Sequence, residues 1–175
     1  MHKIMGMAAV AIAATFCGGC SELFSLNEFV TAEQSVMDRS LLGVWTWNDA
    51  NFTIQADGNS YTIRYFDKGP ALKFHARLIR VGDAKLLDVV EDIDEPFVVP
   101  VHFLVRVWTE GGTLSWTFLD SDWMKEQTGR RVALQASRDK SRLIVASGTQ
   151  WSAELLKFAA DDKAFSSRNE LTRVQ

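Results

Sequence analysis

Cysteine is nearly absent from this chain of 175 residues. Cys17 and Cys20 are the two present, and none follows them, so the rest of the chain can form no disulfide and carry no thiol chemistry. Positive charge is not concentrated either: Arg130-Arg131 is the one basic pair, and the net charge is -3. Because nucleic-acid-binding surfaces cluster their Lys and Arg residues, we predict no nucleic-acid partner.

Residues typical of metal centres and hydrolases are also scarce. The three histidines, His2, His75 and His102, form no pair at ligand spacing, and metal sites need such convergence. No G-x-S-x-G motif is present, and Gly111-Gly112 lies between two predicted strands rather than before a helix, unlike a phosphate-binding loop. We therefore predict no catalytic residue, no metal and no cofactor.

Carboxylates form two clusters that could carry chemistry. Asp120 and Asp122 follow a predicted strand, where paired acids could serve a glycosidase, but a strand exit and helix cap is the favoured interpretation. The segment 91–95 contains four acids and lacks the glycine and terminal glutamate of a calcium loop, so we interpret it as a solvated loop. A hydrolase that uses Asp120, Asp122 or His102 is kept as a third hypothesis.

One long apolar run is present, at the start of the chain. Lys3 precedes an apolar or small-residue stretch from Ile4 to Phe16, and Cys17-Gly18-Gly19-Cys20 follows. The run is shorter than the roughly 20 residues of a membrane-spanning helix. A basic head, an apolar middle and small residues before a cleavage point are the layout of a signal peptide.

These residues resemble the lipobox of bacterial lipoproteins, with Cys17 at a position where that family usually has an aliphatic residue. The resemblance implies that Cys20 is acylated, palmitate included, and becomes the mature N-terminus, so that its acyl chains hold the protein to the membrane. Ser21, rather than aspartate, follows the cysteine, and in Gram-negative bacteria this implies the outer membrane, facing the periplasm. A plain secretory signal cut near Cys20 and a short uncleaved anchor remain alternatives.

The remaining length suits one domain with a hydrophobic core. A helix is predicted from Asn27, as its N-cap, to about Arg39, and a second from Thr149 to about Ala160. We divide the chain into a lipoprotein signal peptide at 1–19, a tether at 20–26, a single β-rich domain at 27–165 and a polar tail at 166–175.

Alternating residues predict three consecutive β-hairpins with defined register. In the hairpin Val101 to Leu119, a loop at Gly111-Gly112 places residues of like character opposite each other on each face. Loops at Gly58-Asn59 and Gly82-Asp83 do the same in two earlier hairpins. The predicted apolar pairs are Val107 with Trp116, Val105 with Phe118, Ile54 with Ile63, and Leu78 with Leu87. Each hairpin thus has a dry face and a wet face.

Sequential antiparallel strands with one dry face must cover that face. We predict an antiparallel up-and-down meander that closes into a barrel, with the two predicted helices at its ends; the alternatives are a β-sandwich or an open sheet. The layout resembles that of lipocalins, and Gly43-Val44-Trp45 near the first strand is similar to their glycine-x-tryptophan motif.

Six tryptophans are many for a chain of this size. Trp45 and Trp47 share one face of a strand, and one hypothesis is that Trp47 and Trp108 mark an apolar ligand mouth or partner patch. We predict a lipid-anchored envelope protein whose barrel binds a hydrophobic small molecule or an envelope partner; the alternative is an interaction protein with a solid core. The residues predicted to line the ligand site are Trp47, Phe74, Val105, Trp116 and Phe118.

Overall fold

The protein is described by a computed structural model that covers residues 23–120, 122–123, 126, 134–136, 142–144, 161–165 and 167–174. Two 3-10 turns, Arg39–Leu41 and Asp162–Ala164, lie between strands. The described strands are β1 (Leu23–Ser25), β2 (Gly43–Trp47), β3 (Ala50–Asp57), β4 (Ser60–Phe66), β5 (Leu72–Val81), β6 (Ala84–Glu91), β7 (His102–Glu110), β8 (Thr113–Phe118), β9 (Leu134–Ala136), β10 (Arg142–Ile144) and β11 (Asn169–Arg173).

Eight of these strands form a closed antiparallel barrel. From β2 to β8 each strand pairs with the next, and β11 pairs with both β8 and β2. The predicted up-and-down barrel is confirmed, and the open sheet and the sandwich are excluded because the ring closes on itself. β1 adds to β7 beyond the end of β8, and β10 and β9 continue outward from β1.

The register of all three predicted hairpins is confirmed. Gly58, Gly82, Gly111 and Gly112 have φ between 56° and 87°, a conformation that costs glycine little and that tight hairpin loops require. The side-chain period of two then sends every second residue of each strand into the barrel. The interior cluster that results consists of Leu41, Trp45, Ile54, Tyr61, Ala76, Leu78, Leu87, Val89, Val105, Val107, Leu114 and Leu171.

The predicted polar tail at 166–175 is wrong where it meets the barrel. Asn169–Arg173 is β11, the strand that completes the ring. Within it Leu171 is 3% exposed and faces inward, while its neighbours Glu170 and Thr172 face solvent. One apolar residue in five is too weak a pattern to predict a strand. The segment becomes a strand because it pairs with β8 and β2, which lie far away in sequence.

The predicted N-terminal helix from Asn27 is also wrong, and the predicted tether contains β1. Residues 26–38 form turns and irregular structure against the outside of the barrel. Their backbone N–H groups have barrel partners instead of helical ones: Phe29 and Val30 donate to the Asp88 carboxylate, and Val36 donates to the Leu78 carbonyl. The predicted helix from Thr149 to Ala160 lies outside the described residues.

The outer face of the barrel is not uniformly wet. An outer cluster on β6 and β7 consists of Leu23, Phe29, Val30, Leu86, Leu104, Leu119 and Ala164. The N-terminal segment and the turn Asp162–Ala164 cover this face. Arg106 and Thr117, a pair on the predicted wet face of their hairpin, are therefore only 8% and 0% exposed. The wall of the barrel therefore has a core on each side.

Candidate functional site

The two ends of the barrel are finished differently. At one end lie the tight turns after β3, β5 and β7, and beneath them the segment 35–42; we call this the plug end. At the other end lie the turns after β2 and β4 and the loop 92–101; we call this the mouth end. The candidate site is at the mouth end, and the plug end defines its floor.

Large side chains fill the plug end completely. Leu41, Trp45 and Tyr61 are at most 1% exposed. The Trp45 indole N–H donates to the Leu41 carbonyl at 2.9 Å, and the backbone N–H of Asp38 donates to the Tyr61 hydroxyl at 2.6 Å. These bonds satisfy the polar atoms of two buried aromatic residues, so this half of the interior is solid.

Arg173 locks the plug segment onto the barrel. Its guanidinium lies 4.3 Å from the centre of the Trp45 ring and donates to the carbonyls of Leu42 and Ser40, each at 2.9 Å. A Cβ at Gly43 would lie 2.7 Å from Arg173 Nη1, and Gly43 has φ of 137°. The glycine of the Gly43-Val44-Trp45 motif therefore makes room for the arginine that covers the tryptophan.

A charged group also holds the plug segment. The Asp38 carboxylate accepts from Lys85 Nζ at 2.8 Å and from Arg80 Nη2 at 3.0 Å, and it accepts from the backbone N–H of Ser40. Burial opposes ionisation of this group, but the hydrogen bonds from Lys85 and Ser40 outweigh it, and the pKa of Asp38 falls well below its usual value. Cationic side chains thus gather at the plug end.

The five residues predicted to line a ligand site all lie on the interior face. Val105 is buried in the interior cluster. Trp47, Phe74, Trp116 and Phe118 pack against this cluster but keep part of their surface exposed, because they lie toward the mouth end. The structure brings these residues together; their role in binding stays a prediction.

The aromatic residues at the mouth end form a continuous chain of edge-to-face contacts. Ring centres are separated by 6.4 Å for Trp47 and Trp116, 5.1 Å for Trp116 and Phe118, 5.6 Å for Phe118 and Phe103, and 6.3 Å for Phe103 and Phe74. Such geometry is preferred because the ring edge is positive and the face negative. The chain of rings lines about half of the barrel wall, from β2 through β8 and β7 to β5.

Sequence reasoning missed Phe103, which belongs to this chain of rings, and Phe24, which contacts Phe103. Phe103 alternates with Val105 and Val107, so the hairpin register alone could have found it. Phe24 lies 6.5 Å from the Phe103 ring because β1 pairs with β7. No local pattern announces that pairing, which joins residues almost 80 positions apart.

Polar groups also face the mouth. Glu91 is directly opposite Phe74 in the pairing of β5 with β6, so the two side chains share the interior face. Burial, together with the negative charge of Glu95, raises the pKa of Glu91. Asn169 is opposite Trp116 in the pairing of β11 with β8. The mouth therefore combines aromatic rings with one carboxyl group and one amide.

Trp47 and Trp108, which one hypothesis places together at a ligand mouth or partner patch, lie on opposite sides of the barrel wall. Trp47 faces the interior, whereas the Trp108 ring faces outward between two guanidinium groups, with Arg168 at 3.9 Å and Arg106 at 4.8 Å from its centre. The hypothesis of one patch formed by Trp47 and Trp108 is therefore wrong. Trp108 serves as a platform for cation–π contacts on the outer surface.

A second, polar cleft of about 340 Å³ lies on the outside of β5, β6 and β7. His102 Nδ1 lies 2.9 Å from Asp88 Oδ1, and Asp88 Oδ2 accepts from the backbone N–H groups of Phe29 and Val30 at 2.7 and 3.0 Å. Asp88 is 4% exposed. These three contacts of the Asp88 carboxylate tie the N-terminal segment and His102 to β6, a structural role that accounts for all of them.

The residues of the hydrolase hypothesis have other partners. His102 is paired with Asp88, while Asp120 Oδ1 accepts from the backbone N–H groups of Asp122 at 2.8 Å and Trp123 at 2.9 Å. Asp120 is thus the cap of the helical turn that contains Asp122, as the strand-exit interpretation predicts.

Within the described ranges, no three His, Cys, Asp or Glu side chains are arranged to hold a metal ion. In the same part of the chain, none of the helical segments has both the length and the hydropathy needed to cross a bilayer. Comparison with protein-family models, with curated proteins and with solved structures finds no match.

Proposed function

We propose that the protein is a lipid-anchored protein of the cell envelope whose barrel binds a hydrophobic small molecule at its mouth end. The observation that carries this proposal is the unequal burial of the interior aromatic residues. Trp45 is 1% exposed, whereas Trp47, two residues further along the same face, keeps part of its surface exposed. Ligand sites are lined largely by apolar and aromatic side chains and open to solvent at one point, and the partly exposed aromatic lining of the mouth end supports the proposal on this basis.

Exposed aromatic surface has an energetic cost that a ligand would remove. Burying apolar surface stabilises by about 25 cal/mol per Å², and the chain uses this gain fully at the plug end. At the mouth end this stabilisation is incomplete, because part of the ring surface remains exposed in Trp47, Phe74, Trp116 and Phe118. A flat or chain-like apolar molecule seated against these rings would recover it, which favours binding over a purely structural barrel.

The floor limits how deep a ligand can reach. Trp45, Tyr61 and Leu41 occupy the plug-end half of the interior, so a ligand could reach no deeper than the last two or three residues of each strand, at most about 10 Å at about 3.4 Å per residue. A ring system or a short alkyl chain fits this depth. A long acyl chain would have to project from the mouth.

Membrane attachment is proposed through Cys20. Two residues separate it from Leu23 in β1, a span of at most about 10 Å, so acyl chains on Cys20 would hold the barrel against the bilayer surface. Apolar molecules concentrate in the bilayer, so the attachment would keep the protein close to a supply of them. The intact mass of the mature protein tests this step: a mass without residues 1–19 and with acyl groups supports it, and an unmodified leader contradicts it.

Binding is tested with the neutral fluorescent probe N-phenyl-1-naphthylamine. We expect Trp116→Ala and Phe118→Ala to weaken probe binding about tenfold, since each removes a ring from the centre of the aromatic chain. Trp108→Ala is the matched control, because it removes a ring of the same hairpin from the outer face. Failure of the native protein to bind the probe, or equal binding by all variants, would contradict the proposal.

A second function, docking of an envelope partner, is favoured by one observation. In the loop between β6 and β7, Phe97 is 104% exposed, Val99 66% and Val98 39%, and apolar groups so placed are typical of interaction sites. A photo-crosslinking residue at 97 in living cells tests this function, with the same residue at Val44, exposed near the plug end, as control. A discrete product from position 97 alone supports docking; equal labelling at both positions contradicts it.

A further inference from the structure

The charges inside the barrel are separated along its axis. Arg80, Lys85 and Arg173 lie at the plug end around Asp38 and the Trp45 ring. At the mouth end, Glu91 places a carboxyl group on the interior face opposite Phe74. The inward-facing positions of the strands therefore carry cations at the plug end, which bind Asp38, two carbonyl groups and the Trp45 ring, and a carboxyl group at the mouth end.

The surrounding rim has the same sign as Glu91. Turns and loops of the mouth end carry acidic side chains, and the Lys73 ammonium there lies 2.6 Å from the Asp92 carboxylate, which neutralises it. The potential of such a rim is focused into an opening with low-dielectric walls and raises the local concentration of cations. Besides the paired Asp92, the rim carries the acids Asp49, Asp67, Asp94 and Glu95 and the cation Lys68, so its acids outnumber its cations.

The aromatic lining favours the same kind of ligand. The negative face of an aromatic ring attracts an ammonium or guanidinium group, by about 0.5–1 kcal/mol at exposed sites and about 2 kcal/mol when desolvated. Glu91 shares the interior face with Phe74, whose ring contacts Phe103 at 6.3 Å. A carboxylate beside several rings is an arrangement that recognises organic cations.

The state of Glu91 is consistent with an absent counter-charge. Burial and the neighbouring Glu95 both disfavour its ionised form and raise its pKa. A cation held beside the carboxylate would favour the ionised form instead. Asp38, which the fold itself surrounds with cations, shows the opposite shift.

We propose that the molecule bound at the mouth is an organic cation with an apolar body, its charged group between Glu91 and Phe74 and its body against Trp116 and Phe118. This inference depends on the proposed binding function and specifies its ligand class. An uncharged or an anionic apolar molecule would leave the half-buried Glu91 carboxyl group without a counter-charge, so we expect both to bind more weakly.

The test compares three ligands with one decyl chain: decyltrimethylammonium, 1-decanol and decyl sulfate. Each competes with N-phenyl-1-naphthylamine for the purified full chain, below its critical micelle concentration. We expect the cation to bind about tenfold more tightly than the alcohol, and the sulfate to bind most weakly. Glu91→Gln should abolish the preference, so that the cation and the alcohol bind with similar affinity.

Two further variants keep the result interpretable. Glu110→Gln removes an exposed acid at the plug end and should preserve the preference for the cation. Phe74→Leu removes the ring but keeps an apolar side chain, and it should reduce that preference even if Glu91→Gln fails to fold. Equal binding of cation and alcohol by the native protein, or a preference that survives both Glu91→Gln and Phe74→Leu, overturns the inference and leaves the binding function intact. Absence of binding by the probe and all three ligands overturns both.

Discussion

The plug end and the mouth end are built from the same eight strands with the same inward alternation, yet only one of them is sealed. At the plug end the segment 35–42 folds under the barrel, and Trp45, Tyr61 and Leu41 disappear from solvent. At the mouth end, Trp47, Phe74, Trp116 and Phe118 occupy equivalent inward positions and remain partly exposed. The difference shows that alternation determines which side chains face inward, while the connecting segments determine which of them stay dry.

The sealing of the plug end uses polar contacts as well as apolar ones. Arg173 bonds two carbonyls of the plug segment, Asp38 bonds Lys85 and Arg80, and Asp88 holds the residues that lead into it. These contacts fix a segment in which the single 3-10 turn Arg39–Leu41 satisfies only part of the backbone. The mouth end has aromatic surface in place of such contacts, and this surface is what a ligand can use.

Trp45 and Trp47 form a matched pair that measures this difference. Both lie on β2 and face inward. We expect Trp45→Ala to reduce the free energy of unfolding by about 3–5 kcal/mol, since it opens a cavity and leaves the Leu41 carbonyl without its donor. Trp47→Ala should cost about 1–2 kcal/mol, because part of that ring is already exposed. Denaturant unfolding of both variants measures the two values.

For ligand affinity we expect the opposite order: the substitution of Trp47 should have the larger effect and that of Trp45 the smaller. Trp47→Ala should weaken binding of the neutral probe, while Trp45→Ala, studied where it remains folded, should leave binding unchanged. Similar stability losses for the two variants would show that the two ends are equally packed and would contradict the assignment of a mouth.

Asp88 tests whether the plug segment depends on its upstream attachment. Asp88→Ala should destabilise the protein by about 3 kcal/mol, because it leaves two backbone N–H groups and the His102 ring nitrogen without an acceptor in a buried place. Hydrogen exchange should show faster exchange at Phe29 and Val30 before it changes in β4. Asp92→Ala is the control: its partner Lys73 and its own carboxylate are both exposed, so the cost should stay below about 1 kcal/mol. Equal costs for the two variants would remove Asp88 from this role.

Most of the barrel could be predicted from the sequence, because its hairpins are local. Glycine turns and period-two alternation determine the pairing of Val107 with Trp116 and of Leu78 with Leu87, and these positions determine which face is dry. The interior placement of the five candidate residues followed from the same rule.

The parts that escaped prediction depend on distant partners. Residues 27–38 contain an N-cap candidate and apolar residues that suggest a helix. In the structure, however, backbone N–H groups of this segment donate to the Asp88 carboxylate and the Leu78 carbonyl instead of to helical carbonyls. Asn169–Arg173 has one apolar residue and becomes a strand because β8 and β2 present free edges on both sides. The acidic character of the mouth was visible in residues 91–95, but its link to the aromatic interior required the register of Glu91 with Phe74.

The stabilisation of the plug end by Asp38 should depend on pH. Its pKa is lower in the folded protein than the value of about 3.9 expected in the unfolded chain, so ionised Asp38 stabilises the fold above that pH. The contribution, about 1–2 kcal/mol for hydrogen bonds to a charged group, should be lost as the pH falls below about 4. Asp38→Asn should therefore be less stable than the native protein at pH 7 and approach it in acid. Asp83 is exposed at the same end, so the stability difference between Asp83→Asn and the native protein should not change with pH. If the difference for Asp38→Asn is also independent of pH, the Asp38 carboxylate does not hold the plug segment.

Phe97 is the smallest test and concerns the mouth end alone. It is fully exposed with φ of 70°, a conformation that a bulky residue rarely adopts and that glycine adopts freely. Because the ring contributes no buried surface, Phe97→Ala should change the free energy of unfolding by less than about 0.5 kcal/mol. Phe97→Gly should be more stable than Phe97→Ala by about 1 kcal/mol, since it relieves the strained backbone. If thermal unfolding shows both effects, Phe97 does not stabilise the fold, and its exposed ring is available for contact with another molecule. A loss of more than about 1 kcal/mol in Phe97→Ala would instead assign the ring to the packing of the mouth end.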